Sequence, residues 1–233
     1  MSEFDDYAEE YEQTLVTVGK VYGFDPAYFD EYKIKEVYNF LRARHLSDEE
    51  ITFLNYGCGI GKSEKFIRKY FKRAHIYSID PSRRSMEIAE EKNRHLTNIE
   101  FRLLNGYHIP FENTFDIIFL ANVLHHIPRT DHMQVLERLY RKLNDEGHLF
   151  VFEHNPFNPI TVKIVHSCKL DKKAVLLTPL YTNRILARAG FNWRKVRFRV
   201  FFPKPLNFLA FLEHYLGKVP FGAQYYFVAR KYA

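Results

Sequence analysis

Three glycines at alternate positions, Gly57, Gly59 and Gly61, follow the apolar run ITFLNY and precede a helical pattern. Glycine lacks a Cβ and can adopt positive φ, so such a turn lets the backbone approach a ligand closely. Asp80 ends the next apolar run, HIYSID, 23 residues after Gly57. In doubly wound sheets an acid at this place accepts hydrogen bonds from ribose hydroxyls. The loop and the acid together favour a nucleoside site over a tight turn without a ligand.

Two common phosphate-binding loops do not fit this spacing. A P-loop, GxxxxGK[ST], would end correctly at Gly61, Lys62 and Ser63, but its first glycine would fall on Tyr56. A dinucleotide fingerprint, GxGxxG, would need its third glycine at the position of Lys62. The spacing therefore argues against both a Walker-type nucleotide site and a nicotinamide site.

A second group of polar residues lies at the ends of two later apolar runs, FDIIFLANVL and GHLFVFE, which are the fourth and fifth predicted strands. These residues are His125, His126, Glu153 and His154. Doubly wound sheets bind their ligands at the carboxyl ends of the strands. His125 and His154 are therefore candidate catalytic residues, which would remove a proton from a hydroxyl acceptor. A structural role for each histidine fits equally well. The spacing HHxxxxDH, from His125 to His132, matches no metal-ligand pattern, and we expect no metal site.

From residue 51 onward, short apolar runs alternate with helical patterns. This alternation predicts an α/β doubly wound, mostly parallel sheet with helices on both faces. The runs WRKVRFRVFF and AQYYFVARK complete a seven-stranded sheet and are expected to form an antiparallel C-terminal edge. Residues 1–50 are interpreted as an N-terminal helical cap, and residues 51–233 as one domain with a basic, aromatic insertion at about 198–222.

The net charge of +6 hides a gradient along the 233 residues. Residues 1–50 carry −8, residues 51–159 carry +2, and residues 160–233 carry +12, from 14 basic and 2 acidic side chains. Such a basic segment suits phosphates, anionic lipids or nucleic acid, or it is a solvated face.

Only two cysteines, Cys58 and Cys168, are present, which excludes a disulfide framework and favours a cytoplasmic protein. The N-terminal residues lack a signal peptide, and no apolar stretch is long enough to span a membrane.

Residues 51–155 resemble the class I S-adenosylmethionine-dependent methyltransferases, particularly the branch of the ubiquinone and menaquinone C-methyltransferases and other small-molecule methyltransferases. The segments that carry the resemblance are NYGCGIG, YSIDPS, GHLFVFE and LNGYHIPFENTFDIIFLANVLHHI, which is similar to the family run GDAxxLPFxxxxFDxVxxxxVLHH. It implies a Rossmann-like fold, methyl transfer, and S-adenosyl-L-methionine as cofactor. It also implies a set of cofactor-binding residues: Asn55, Gly57, Cys58, Gly59, Gly61, Asp80, Pro81, Asn105, Gly106, Tyr107, Leu120, Ala121 and Asn122.

The chain departs from the family at two of these positions. The acid that usually stands two residues before the first loop glycine is Asn55, and the adenine-contacting acid is Asn105. An amide still accepts a hydrogen bond but lacks the charge that attracts a cationic cofactor. Tyr7, Tyr11 and Lys33 could compensate for the weaker attraction of the cofactor, because FDDYAEEYE resembles the segment that closes over the cofactor in such enzymes. A role of the two tyrosines as aromatic core residues fits the sequence equally well.

The acceptor is expected to bind between the variable parts of the chain, which are residues 4–45, the loop after Glu153 and residues 198–222. Their Phe, Tyr, Arg and Lys content favours a small-molecule, sugar or lipid-like acceptor, apolar or carried on an anionic lipid, and is compatible with peripheral membrane contact. Two alternatives stay open: an RNA methyltransferase and a non-catalytic subunit that binds S-adenosylmethionine. The first lacks an appended RNA-binding module and an Asn/Asp-Pro-Pro-aromatic motif, so nucleic acid is the less favoured partner.

Overall fold

The computed structural model describes residue 17 and residues 26–46, 50–168, 171, 173–202, 208–209 and 211–232. At the centre of this described part is a seven-stranded sheet. Its strands are β1 (Thr52–Tyr56), β2 (His75–Asp80), β3 (Ile99–Leu103), β4 (Phe115–Ala121), β5 (Leu143–His154), β6 (Trp193–Arg199) and β7 (Gln224–Arg230). They lie in the order β3-β2-β1-β4-β5-β7-β6.

The first five strands pair in parallel and the last two antiparallel. β1 lies between β2 and β4, so that Asn55 is opposite both Ser78 and Phe119. β7 inserts antiparallel between β5 and β6. This arrangement confirms the predicted doubly wound, Rossmann-like sheet with an antiparallel C-terminal edge. Strand order reverses beside β1, which is where such sheets open a crevice at their carboxyl ends.

Helices connect the strands and flank the sheet. In the described residues they are α1 (Pro26–Arg42), α2 (Glu64–Tyr70), α3 (Arg83–Asn93), α4 (His132–Lys142), α5 (Pro159–Ser167), α6 (Pro179–Arg188) and α7 (Glu213–Leu216). A short 3₁₀ turn, Leu124–His126, follows β4. No described helix is both long and apolar enough to cross a membrane.

The core has two layers, one on each face of the sheet. Successive strand residues point to opposite faces, so Phe53 packs in one layer and Leu54 in the other. The first layer includes α1, through residues such as Val37, and the second includes α4, through residues such as Leu136. Parallel strands buried on both faces read as nearly continuous apolar runs, which is why the sequence pattern was informative.

Local side-chain caps fix the starts of three helices. Ser82, Asn158 and Thr178 each accept hydrogen bonds from backbone N–H groups of the first turn of α3, α5 and α6. Asp131 stands at the N-cap position of α4 but makes no capping hydrogen bond. Its carboxylate instead accepts a hydrogen bond from the Tyr107 hydroxyl (2.7 Å), which ties α4 to the loop after β3.

Parts of the variable regions lie outside the described residues. Within the predicted N-terminal cap, the structure describes residue 17 and residues 26–46, including α1. Tyr7 and Tyr11 lie outside it, as do residues 203–207 and 210 of the basic, aromatic segment. The division into a cap, a domain and an insertion therefore stays a prediction.

Candidate active site

A cavity of about 400 Å³ opens at the carboxyl ends of β1, β2, β4 and β5. The glycine loop and Asp80 form one side of it. The turn after β4, His154 at the end of β5, and residues of α5 form another. Phe29, Asp30 and Lys33 of α1 also contribute to the wall. One crevice thus joins the two polar groups that the sequence places after separate strands.

The three loop glycines all have positive φ, with values of 77°, 53° and 70° for Gly57, Gly59 and Gly61. A Cβ on Gly61 would lie 2.9 Å from the backbone of Ala89, so this glycine allows the loop to pack on α3. A Cβ on Gly59 would meet no atom within 4 Å, and Gly59 borders the cavity. Gly61 is therefore required for packing, whereas Gly59 leaves space in front of the backbone that a ligand can occupy.

Asp80 is held in place by the backbone around it. Its Oδ2 accepts a hydrogen bond from the Gly59 N–H and its Oδ1 accepts one from the Ser82 N–H, both over 2.9 Å. The side chain borders the cavity and is 7% exposed. A carboxylate fixed this way by two donors is preorganised to accept hydroxyl groups of a nucleoside, as the sequence predicts.

Asn122, after β4, has two unusual features on the cavity wall. Its φ is 59°, which is uncommon for a residue other than glycine. Its Oδ1 is buried and accepts no hydrogen bond in the described part of the chain. A strained backbone and an orphaned buried acceptor together indicate a position shaped for a ligand that donates a hydrogen bond.

Asn55 lies under the glycine loop and contacts a buried carboxylate. Its Nδ2 donates a hydrogen bond to Oε1 of Glu64 (2.8 Å), which also accepts one from the Ser78 hydroxyl (2.8 Å). Glu64 is fully buried, and its burial raises the pKa of the carboxyl despite these hydrogen bonds. The chain therefore keeps an acidic group next to the position where Asn55 replaces the usual family acid.

The residues after β3 border the cavity only in part. Gly106 and Tyr107 line it, and Leu104 lies beside them. Burial, together with the hydrogen bond to Asp131, raises the pKa of Tyr107 to about 12. Asn105 is exposed and does not line the cavity. The loop thus presents backbone and an aromatic ring to the space next to Asp80, whereas the Asn105 side chain lies outside.

Three histidines and two carboxyl groups cluster on the acceptor side of the cavity. His125 Nδ1 lies 2.5 Å from Glu153 Oε2, and Glu153 Oε1 accepts a hydrogen bond from the Leu124 N–H. His125 is only 2% exposed and lies behind His126 and His154, which border the cavity. His126 Nε2 and Asp171 Oδ1 are 3.4 Å apart.

The electrostatic setting differs between the two candidate catalytic histidines. Burial alone would lower the pKa of His125, but Glu153 and Asp171 oppose this and raise it to about 9. Burial, with the nearby His125, lowers the pKa of His154 to about 4. Of the two, His154 is therefore the neutral imidazole at neutral pH.

Lys33 is a buried cation on the wall formed by α1. It is 5% exposed, and its burial lowers its pKa to about 8 despite the nearby Asp30. Asp30 itself pairs with Lys62 of the glycine loop over 2.8 Å. These contacts attach α1 to the loop, and they make α1 part of the site.

The structure brings together most of the predicted site residues. The predicted residues that line the cavity are Asn55, Gly57, Cys58, Gly59, Asp80, Pro81, Gly106, Tyr107, Ala121, Asn122 and His154. Gly61, Asn105, Leu120 and His125 are not part of its wall, and Tyr11 lies outside the described residues. Leu120 is fully buried in the core layer that includes α4, so its side chain points away from the crevice.

Comparison with known proteins bears on residues 54–151, which match the family model described as a methyltransferase domain. A methyltransferase of Schizosaccharomyces pombe, itself uncharacterized, is 31% identical over 105 residues, 41% of this chain. The matched part spans just over a third, 37%, of that curated relative. Residues 54–151 are therefore similar to a methyltransferase domain.

Solved structures that share this fold include proteins described as methyltransferases. A Thermotoga maritima protein described as a possible histamine N-methyltransferase is 18% identical, with a TM-score of 0.65 over 98% of both chains. A methyltransferase solved in complex with the Haloferax volcanii Trm112 activator is 13% identical, with a TM-score of 0.67 over 100% of this chain and 99% of the other. The CMeT domain of the citrinin polyketide synthase is 16% identical, with a TM-score of 0.67 over 94% of this chain and 57% of the other. The match to a methyltransferase domain implies S-adenosylmethionine as the cofactor, and the open space at Gly59 and the orphaned Asn122 Oδ1 fit such a ligand.

Sequence reasoning missed two residues of the site. Glu64 begins α2 and carries no pattern that predicts its burial against Asn55. Asp171 comes from the segment after α5, and only the fold brings it next to His126. In the segment that follows His154, the residues that line the cavity are Thr161, Ile164, Val165, Cys168 and Asp171, whereas no described residue of 198–222 lines it.

Proposed function

We propose that this chain is an active methyltransferase that transfers a methyl group from S-adenosylmethionine to a small-molecule acceptor. The observation that carries the proposal is the shared cavity, which has Asp80, Gly59 and Asn122 on one side and His126 and His154 on the other. Its volume of about 400 Å³ falls in the range of small-molecule sites. A cofactor and an acceptor bound from these two sides would meet inside it.

On the cofactor side, each residue has a distinct task in this proposal. Asp80 accepts hydrogen bonds from the ribose hydroxyls, since two backbone N–H groups already fix its orientation. Gly59 leaves room for the cofactor beside the loop backbone, and Asn122 Oδ1 accepts a hydrogen bond from it. Gly106 and Tyr107 line the cavity and would border the adenine, and Ala121 lines it at the end of β4.

The bound cofactor supplies an activated methyl group on a sulfonium, so the protein contributes mainly alignment. Holding two reactants in near-attack geometry is worth about 7 to 11 kcal/mol of the barrier. On the acceptor side, His154 borders the cavity and is placed to take the acceptor's proton. His125 lies behind it, oriented by Glu153, and acts through its neighbours rather than by direct contact.

The acceptor wall supports a compact, partly apolar substrate. Phe29, Ile164 and Val165 line it beside the polar His126 and His154. The Thermotoga maritima structure described as a possible histamine N-methyltransferase has an acceptor of low molecular weight in its name, which is consistent with this proposal. Membership in the ubiquinone and menaquinone C-methyltransferase-like branch is the finer form of this proposal, with a lipid-like acceptor.

A peripheral contact with an anionic lipid surface is a further part of the proposal. Four large aromatic side chains of the C-terminal region are at least 65% exposed: Phe208, Phe211, Tyr215 and Phe221. Lys218 is exposed in the same segment. Sedimentation with phosphatidylcholine vesicles containing or lacking phosphatidylglycerol tests it, because only the anionic vesicles should carry down the protein. Equal recovery with both would contradict the lipid contact and leave methyl transfer unaffected.

Transfer of a radioactive methyl group tests the catalytic proposal and separates it from the alternatives. The protein is incubated with methyl-labelled S-adenosylmethionine and a cell extract divided into small-molecule, lipid and RNA fractions. We expect label in the small-molecule or lipid fraction, and loss of that label in the Asp80→Asn variant. Label in RNA would replace the proposal with an RNA methyltransferase. Cofactor binding without label in any fraction would favour a non-catalytic subunit.

A further inference from the structure

We propose that His125, His126 and Asp171 form a binding site for a divalent transition-metal cation such as Zn²⁺ on the acceptor side of the cavity. One ligand atom from each residue lies within 4.8 Å of the other two. The inference goes beyond the proposed methyl transfer, because the three side chains can hold a cation whether or not the cofactor is bound. The sequence spacing gave no reason to expect it.

The distances between the ligand atoms fit a small cation. His125 Nε2 lies 3.7 Å from Asp171 Oδ1, and His126 Nε2 lies 3.4 Å from the same oxygen. In a tetrahedral zinc site with bonds of about 2.0 to 2.1 Å, ligand atoms are about 3.3 Å apart. Small side-chain rotations would therefore bring all three atoms into the first coordination shell.

Glu153 supplies the support that metal-bound histidines usually have. Its Oε2 lies 2.5 Å from His125 Nδ1, and the same carboxylate is fixed by the Leu124 N–H. A ligating histidine commonly donates its other ring N–H to a carboxylate, which fixes the tautomer and directs the second nitrogen at the metal. Glu153, His125 and the proposed cation would form such a carboxylate–histidine–metal triad.

The second nitrogen of His125 faces Asp171 Oδ1 at 3.7 Å, which is too far for a hydrogen bond. Its Nε2 is buried and makes no hydrogen bond, although the residue is only 2% exposed. Leaving such a group unsatisfied costs about 1 to 3 kcal/mol, so buried polar atoms of this kind call for an explanation. A cation between Nε2 and Asp171 would satisfy it.

The ligand set also indicates which cation fits and where its open position lies. Two imidazoles and one carboxylate suit Zn²⁺, Co²⁺ or Fe²⁺ better than Mg²⁺ or Ca²⁺, which prefer oxygen ligands. Three protein ligands leave a coordination position for water or substrate. His126 and Asp171 line the cavity, so an oxygen of the acceptor could occupy that position and be polarised there.

Two other histidines lie outside the proposed site. His132 is fully buried, and its Nε2 lies 2.9 Å from the Leu124 carbonyl oxygen. Its Nδ1 is 3.0 Å from the Tyr181 hydroxyl. His166, at the end of α5, is exposed and is not part of the cluster. His166→Ala is therefore a matched control that removes an imidazole without touching the proposed site.

Cobalt titration of the full chain, first stripped of metal with a chelator, tests the site directly. We expect one Co²⁺ per chain with the visible absorption of a low-coordinate nitrogen and oxygen site. His126→Ala and Asp171→Ala should each raise the dissociation constant at least tenfold, and His166→Ala should leave it unchanged. Glu153→Gln should raise it about 10- to 100-fold, the effect expected for the partner of a metal-bound histidine.

Thermal unfolding of each variant shows whether it is folded. His126 and Asp171 both border the cavity, so the measurement on either variant is sufficient if the other variant does not fold. The proposal is overturned if Co²⁺ binds without saturation, or if the affinity is the same in His126→Ala, Asp171→Ala and the unaltered chain. Asp80→Asn is the control for the cofactor side and should not change Co²⁺ affinity. Cobalt binding without S-adenosylmethionine binding would refute methyl transfer alone, and the reverse result would refute the metal site alone.

Discussion

Asn55 Nδ2 donates a hydrogen bond to Glu64 Oε1 over 2.8 Å in the interior beneath the glycine loop. The family resemblance places an acid where this chain has Asn55. In this chain the carboxylate is instead that of Glu64, in the first turn of α2, and the Asn55 amide donates a hydrogen bond to it. The pair also explains why an uncharged residue is needed on β1, since two adjacent buried carboxylates would repel each other.

Exchanging the two groups tests this interpretation. Asn55→Asp should lower the free energy of unfolding by about 3 kcal/mol, because it places a second carboxylate against a buried one. Adding Glu64→Gln should recover most of that loss, because the double variant restores one carboxylate and one amide in the reverse order. Urea unfolding of the four proteins at pH 7 measures the coupling. Additive losses in the double variant would show that the two side chains do not compensate each other.

Gly59 and Gly61 should respond differently to the same substitution. In Gly61→Ala the new Cβ would lie 2.9 Å from the Ala89 backbone at a φ of 70°, and we expect a loss of about 3 kcal/mol in stability. In Gly59→Ala the Cβ meets open space, so only the conformational cost of about 1 to 2 kcal/mol applies. The methyl group should instead obstruct the cofactor and weaken its binding more than tenfold.

Thermal unfolding with and without S-adenosylmethionine distinguishes the two glycine variants. The Gly59 variant should unfold close to the temperature of the unaltered protein but lose the shift that the cofactor gives. The Gly61 variant should unfold at a clearly lower temperature. A Gly59 variant with undiminished cofactor binding would show that the cofactor does not approach this part of the loop.

Asp80 supports both the ligand site and the loop, which affects the choice of variant. Asp80→Ala would leave the Gly59 and Ser82 N–H groups without their acceptor, so we expect it to lose about 1 to 3 kcal/mol of stability. Asp80→Asn keeps one acceptor oxygen and removes the charge, and it should raise the cofactor dissociation constant about 10- to 100-fold. Calorimetric titration with S-adenosylmethionine measures this, and an unchanged affinity would mean that the ribose is bound elsewhere.

The sheet could be predicted from sequence because its strands are local, apolar and separated by clear helical patterns. The edge pair β6 and β7 was predicted for the same reason. The glycine loop and Asp80 could also be found, since a strand, a turn and the next strand lie close together along the chain. Each of these features depends on residues that are neighbours in sequence or in adjacent βαβ units.

The parts of the site that were not predicted depend on contacts between distant segments. Asp171 reaches His125 and His126 from the far side of α5, and no periodicity marks it. Leu120 was expected at the cofactor, but successive strand residues face opposite sides, and its register directs it into the core. Ala121, the next residue, lines the cavity instead. Side-chain direction near the end of a strand requires the register, which the sequence alone does not give.

His148 should make the stability of the domain depend on pH. It is 3% exposed on β5, with its ring 5.2 Å from that of Phe40, and its buried Nε2 has no hydrogen-bond partner in the described residues. Burial, with Arg230 and Arg44, lowers its pKa to about 4, against 6.5 as an ordinary histidine. Between these two pH values the unfolded chain binds the proton and the folded chain does not, so stability falls as the pH drops from 6.5 toward 4.

At pH 5 this group alone should cost about 2 kcal/mol relative to pH 7. His148→Phe keeps a ring between Phe40 and Phe150 and cannot be protonated, so its stability should fall less on acidification by that amount. Urea unfolding at pH 5, 6 and 7 measures the difference between the two proteins. Replacement of the exposed His95 by Gln is the matched control for the removal of an imidazole. If His148→Phe followed the same pH curve as the unaltered chain, the proton would bind His148 equally well in the folded and unfolded states, and its burial would not oppose the charge.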